Sequence, residues 1–284
     1  MSFGRHQSFY LKENWLSKVI VKLKNKDNSI LLDESGYKNL GLGKNMHQSL
    51  RYWAEATNIV YREPSGKNHS LTEIGKIISK YDPSVNSKFS KILIHFNLIS
   101  NQKEDLPFSD TFYFLFKEYN RNYFTKESMV DDLRNFSKHL ISENTLKKDI
   151  DCLVQTYVKR VKKHPEDKNI SLLSSLELIK NADNSFIKIP LKVDNNFRDF
   201  LMYQIYVSFY EKYISVEDIH NQIAKLFNLT LLDTVLLIDE MSALGFPINI
   251  VRTNNINTVN VNLDRKSDYS LEIIYQEKVD VYEA

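Results

Sequence analysis

From Trp15 onward, apolar residues recur at helical spacing. Leu16, Val19, Ile20 and Leu23 fall at i, i+3, i+4 and i+7, which predicts an amphipathic helix. Asp33 and Glu34 open a short second helix through Leu40, where acids suit the positive end of the helix dipole. Gly41 and Gly43 mark a tight connection. Met46, Leu50, Trp53 and Thr57 then give the segment 44–59 one buried face, leaving Lys44, Asn45, Gln48, Arg51 and Tyr52 looking outward or sideways. The stretch NIVYREPSGKNHSLT is apolar at both ends around Pro64-Ser65-Gly66, the pattern of a β-hairpin with a basic, polar tip. Helix, turn, second helix and hairpin is the order of a winged helix-turn-helix, which presents its second helix to the major groove and its hairpin to the DNA backbone.

Farther along, KILIHFNLI and TFYFLFKEYNRNYF are apolar almost throughout and predict buried helices of a central core. A second helix-turn-helix cadence spans Ser128–Leu140 and the segment from Ser142. Ser142 and Thr145 form its cap, Leu146, Ile150, Leu153 and Tyr157 its inward stripe, and Lys147, Lys148, Asp149 and Asp151 its outer face. KRVKKHPEDKN (159–169) has no apolar face and reads as a linker. A third cadence follows: an apolar helix over Phe200–Tyr213, a helix capped by Ser215 with Glu217 and Asp218 in its first turn, and LTLLDTVLLIDEMSALGF ending at Gly245. The β-branched tail around Asn254-Asn255 predicts a closing hairpin. The expected fold is mainly α: tandem winged helix-turn-helix-like modules with small β-hairpin wings around a helical core, divided as 1–85, 86–165 and 166–284.

Composition supports the helical reading. Seven Gly and six Pro are under 5% of 284 residues, against an average of about 12%, too few turn-formers for a sandwich, a barrel or a glycine-rich nucleotide fold. A single cysteine, Cys152, leaves no internal disulfide, and no Cys/His spacing suits zinc. With no apolar run of spanning length and no apolar leader at the start, the sequence predicts a soluble, cytoplasmic protein. The net charge of +2 conceals an asymmetry: residues 1–80 hold 13 Lys/Arg against 7 Asp/Glu, a net of +6, and the other 204 residues hold 25 against 29. The front of the chain is therefore matched to an anion such as nucleic acid. The acidic, apolar helix around Asp233, Asp239 and Glu240 suits packing or a partner instead.

Nucleotide-hydrolysis, zinc-protease and serine-hydrolase motifs are missing, and GLGKN lacks the spacing of a phosphate loop. Glu166-Asp167-Lys168 has the acid-x-lysine spacing that metal-dependent nucleases use, but needs a partner acid supplied by the fold. Asp239 and Glu240 are adjacent on a helix and diverge. In FGRHQSF, Arg5 can serve as a phosphate ligand, and His6 as either a proton-transfer group or a hydrogen-bonded structural residue. Lys44, Asn45, Gln48 and Arg51 are the expected DNA contacts of the second helix, with Arg62 and Lys67 touching phosphates from the wing. Lys159, Arg160, Lys162 and Lys163 form a further basic run that suits either a phosphate patch or a solvated loop.

FGRHQSFYLKENWLSK (3–18), LGLGKNMHQSLRYWAEATNIV (40–60) and SLTEIGKIISKYDP (70–83) together resemble an SspB-like bacterial family of domains of unknown function. Phe3, Arg5, His6, Phe9, Trp15, Leu16, Gly43, Lys44, Asn45, Met46, Arg51, Tyr52 and Trp53 match its signature in order. Gln7 and Ser8 depart from it, standing where Glu and Thr are usual. The resemblance implies a DNA-acting component of bacterial DNA phosphorothioate modification and antiphage defence. Sulfur-transfer and ATPase proteins would be its partners, with Mg²⁺ or Mn²⁺ needed should it nick DNA as an endonuclease. A DNA-binding regulator or scaffold without chemistry of its own is the alternative reading.

Overall fold

The computed structural model describes residues 3–103, 106–107, 109–137, 140–159, 170–253 and 256–283. These form two compact units, Met1–Ile189 and Pro190–Ala284. The architecture is mainly α with small antiparallel sheets. No helix among the described residues is long and apolar enough to cross a membrane. The boundary expected near residue 165 falls in 160–169, outside the described residues.

The first unit opens with α1 (Trp15–Lys24), which buries Leu16, Val19, Ile20 and Leu23 as their spacing requires. Helix α2 is shorter than the acids suggested, Gly36–Asn39, because Asp33 folds back to accept from the Ser35 N–H and hydroxyl. Helix α3 (Lys44–Ala56) leads into the hairpin of β1 (Val60–Arg62) and β2 (His69–Leu71), in register Val60↔Leu71. Then come α4 (Glu73–Tyr81), capped by Thr72, the buried α5 (Lys88–Ser100), and the two-residue strands β3 (Gln102–Lys103) and β4 (Leu106–Pro107).

The aromatic stretch read as helix is only partly so. It contains α6 (Asp110–Tyr113), a π-helical turn over Phe114–Glu118 and then the strand β5 (Tyr123–Phe124). An apolar run cannot separate buried helix from strand by itself, and the partner that makes β5 a strand lies some sixty residues away. Helices α7 (Lys126–Phe136) and α8 (Glu143–Tyr157) follow, capped by Thr125 and Ser142. A hairpin of β6 (Ile179–Ala182) and β7 (Ser185–Lys188), which sequence reading missed, closes the sheet β5-β7-β6. Its turn puts Asp183 at φ 51°, a left-handed conformation that Asp tolerates.

The second unit repeats that order. Helix α9 (Asn195–Ser208) precedes β8 (Tyr213–Ser215), α10 (Val216–Gln222), α11 (Leu231–Ala243) and the hairpin β9 (Ile248–Thr253)–β10 (Ile256–Val261), and α12 (Leu271–Glu283) ends the chain. The apolar helix expected through Tyr213 stops at Ser208, and Tyr213 belongs to a strand. In both sheets the leading strand pairs with the second hairpin strand, and each of the two intervening helices has a Ser or Thr cap: Thr125 and Ser142 in one, Ser215 and Thr230 in the other. The shared cadence visible in the sequence is thus a shared strand–helix–helix–hairpin topology. Its chemistry differs, since the second unit holds 8 Lys/Arg against 14 Asp/Glu and the first 30 against 22.

Candidate nucleic-acid interface

Helix α3 is buried on more than one face. Besides Leu50, Trp53 and Thr57, it buries His47, Ser49, Tyr52 and Ala54. Tyr52, expected to look outward or sideways, is instead inside. The cause is the N-terminal arm, residues 3–10, which lies against α3. The Phe9 carbonyl accepts from Trp53 Nε1 at 2.9 Å, Ser49 Oγ at 3.4 Å and Cys152 Sγ at 3.5 Å. Burial pushes the Cys152 thiol well up, so it stays protonated and serves as a weak donor.

The arm is organised by a buried carboxylate. Asp149 accepts from the Gly4 N–H (3.0 and 3.2 Å to its two oxygens), from His6 Nε2 at 2.9 Å and from Thr111 Oγ1 at 3.3 Å. His6 Nδ1 accepts from the Ser8 N–H at 3.1 Å, so its Nε2 carries the hydrogen donated to Asp149. These bonds hold a tight loop in which Gly4, Gln7 and Ser8 all take positive φ. His6 is 2% exposed, its ring packed against both Trp53 and Tyr52, which also contact each other. Asp149 was expected on the outer face of α8, yet it is equally buried. Sequence arithmetic contained the signal: 149 lies three residues after Leu146 and four before Leu153, on the same helical stripe.

While His6 turns in, Arg5 stays exposed, its guanidinium 5.8 Å from the centre of the Tyr52 ring. Glu55 registers the charges of both Arg5 and Arg51. Burial pushes its carboxyl up, but a 2.8 Å hydrogen bond from buried His69 and the charges of His69, Arg51 and Arg5 outweigh that and hold it below the usual range. The structure thus brings Arg5 to the helix that carries Arg51.

Lys44, Gln48 and Arg51 lie at i, i+4 and i+7 of α3 and share one stripe. They form one wall of a cleft of about 330 Å³, whose other wall is Leu31, Leu32, Asp33, Glu34 and Tyr37, with His47 at its base. Asn45 is exposed but does not line it. The width of the cleft is set by Gly36: a Cβ there would meet the Ile30 carbonyl at 2.1 Å and His47 Nε2 at 3.1 Å. His47 donates from Nε2 to that carbonyl at 2.8 Å. On the hairpin, Arg62 spends two donors on the Gly66 carbonyl, at 3.2 and 2.8 Å, while Lys67 stands exposed at the tip. Lys159 is 3.3 Å from Glu177, and Arg160, Lys162, Lys163, Glu166, Asp167 and Lys168 lie outside the described residues. Among the described residues, no three His, Cys, Asp or Glu side chains converge as a metal-ligand set.

Burial holds the His47 imidazole below its ordinary range and Arg51 adds to this, against opposing effects of the Ile30 carbonyl and Asp33. The folded state therefore takes up this proton at a lower pH than the unfolded chain, whose histidine titrates near about 6.5. The stability involved is complete above that value and is lost as pH falls from it toward the folded-state value. Thermal melts between about pH 8 and 5.5 should show the melting temperature dropping on the acid side, with a shallower drop in His47→Gln. Equal slopes would count against this assignment.

No protein of curated function matches this sequence. Two crystal structures are similar in fold. A magnesium ion-bound SspB is 19% identical with a TM-score of 0.79, the match covering 97% of this chain and 88% of that one. A second SspB structure is 17% identical with a TM-score of 0.77, over 99% and 95%. The arm, α3 and the helices beneath them all lie within residues 3–276, which match the family described as protein of unknown function DUF4007, and the chain belongs to that family.

Proposed function

We propose that the protein is the DNA-engaging component of a bacterial DNA phosphorothioate modification and defence system, docking through α3. The observation that carries this reading is the stripe Lys44, Gln48 and Arg51, continued by Arg5, on the first helix of the chain followed at once by a hairpin with basic residues at 62 and 67. Read as a winged helix, α3 would approach the bases and the hairpin the backbone, with Arg5, Lys44 and Arg51 on phosphates. Gln48 and Asn45 are the side chains suited to a base edge, since an amide can pair bidentately with adenine. The resemblance to SspB supports the assignment to that system, and sulfur-transfer and ATPase proteins are its expected partners.

Two versions of the reading differ in chemistry. One is a Mg²⁺- or Mn²⁺-dependent nicking endonuclease, with Arg5 near the strand and Glu166, Asp167 and Lys168 as first residues to test. The other is a docking regulator or scaffold, favoured by the enclosure of His6 and Asp149, which leaves that pair no route to a strand. Gel shifts across a salt series, beside supercoiled-plasmid relaxation with and without either metal, distinguish them. Salt-sensitive binding is expected, because each neutralised phosphate releases counterions. Open circles that require metal establish the nickase, binding without nicks establishes the docking subunit, and no binding at low salt removes the DNA reading altogether.

A further inference from the structure

We infer that the cleft between α3 and residues 31–37 receives one unstacked nucleotide, so that the protein prefers DNA carrying an unpaired base over intact duplex. This rests on the DNA reading above and names what that site selects. The cleft's volume, about 330 Å³, is at the small end of pockets that enclose small ligands, about 300–1,000 Å³. Between its walls it has room for one nucleotide.

The two walls of the cleft differ in charge. Lys44 and Arg51 on one wall suit a phosphate, but Asp33 and Glu34 on the other would repel one. A bare run of backbone phosphates fits such a site poorly. A ligand that fits must present an anion to one wall and hydrogen-bond donors to the other. A nucleotide does both, through its phosphate and through the exocyclic amine or ring N–H of its base, for which carboxylates are natural acceptors. Asp33 is fixed as an acceptor: its hydrogen bonds from the Ser35 N–H and hydroxyl hold its carboxyl below the usual range.

Tyr37 supplies a flat surface. The Lys38 and Lys44 ammonium groups each lie over its ring, 5.9 Å from the centre, so a base stacking there would displace one of these flexible lysines and carry its phosphate beside it. Gln48, between Lys44 and Arg51, adds an amide that can read a base edge. The walls keep their spacing because Gly36 lets α2 approach the His47–Ile30 hydrogen bond. Swinging a base out of a stack is least costly where it is already unpaired, which turns a nucleotide-sized cleft into a preference for such sites.

The test is fluorescence anisotropy with labelled DNAs of one sequence: intact duplex, duplex with a single-nucleotide bulge, and duplex with an abasic residue as the bulge. The abasic bulge shares the kink but lacks the base. The base-containing bulge should bind about ten-fold tighter than either of the others, as expected for one stacked base. Tyr37→Ala and Glu34→Gln, both near the surface and checked for fold by circular dichroism, should bring that ratio toward one. Equal affinity for all three DNAs, or a preference that survives both substitutions, overturns the proposal while leaving the DNA reading intact. Failure to bind any of them overturns both.

Discussion

Replacing Lys44 and Arg51 together with glutamate should lower duplex affinity about 100-fold at moderate salt, since turning attraction at two phosphates into repulsion costs several kcal/mol. Lys44 is exposed and Arg51 half-buried on the stripe that lines the cleft, and neither is among the buried residues of α3, so the change falls chiefly on binding. The salt dependence gives a second, independent readout. Each phosphate contact contributes about 0.9 to the slope of log affinity against log salt, so losing two flattens it by about two. Lys148→Glu with Lys180→Glu, two exposed reversals on α8 and β6 in the same unit, makes the same change in net charge and controls for it. If the α3 variant binds like the parent at low salt, α3 does not contact the backbone. If this charge-matched control loses as much affinity as the α3 variant, the loss reflects overall charge rather than this helix.

The stripe was legible in the sequence because it is local. Lys44, Gln48 and Arg51 follow helical spacing, as do the buried Leu16–Leu23 set of α1 and the Leu146–Tyr157 set of α8. Helix caps at Ser142 and Ser215 were legible for the same reason, being contacts over three residues. What escaped depends on partners distant in sequence. Tyr52 reads as half outward on α3 alone, and only the arm folding over it makes it a buried ring. Strand β5 looks like more of an aromatic helix until β7 arrives to pair with it. The second wall of the cleft depends on a backbone approach permitted by Gly36, which no pattern of polarity announces. Asp149 is different in kind. Its position on the buried stripe was computable, but a carboxylate is ordinarily assigned to water because burying one unpaired is so costly.

That cost underlies the largest stability change expected. Asp149→Ala should lower the stability of the first unit by about 3–5 kcal/mol, the range for removing one partner of a buried ionic or hydrogen-bonded pair. The Gly4 N–H, His6 Nε2–H and Thr111 hydroxyl would all lose their acceptor. Asp149→Asn preserves volume but points an amide NH₂ at one of these donors, so an intermediate loss of about 2 kcal/mol is expected. Denaturant melts of the two variants against the parent check both magnitudes. The functional consequence follows from geometry: the carboxylate fixes the loop from Gly4 to Ser8, and the loop holds Arg5 over Tyr52. Asp149→Asn, still folded at low temperature, should therefore weaken DNA binding by the same factor as Arg5→Ala, and combining the two should add little further loss. Additive losses would show that Asp149 supports the fold alone; coincident losses would make this buried carboxylate the group that sets where the exposed arginine meets its phosphate.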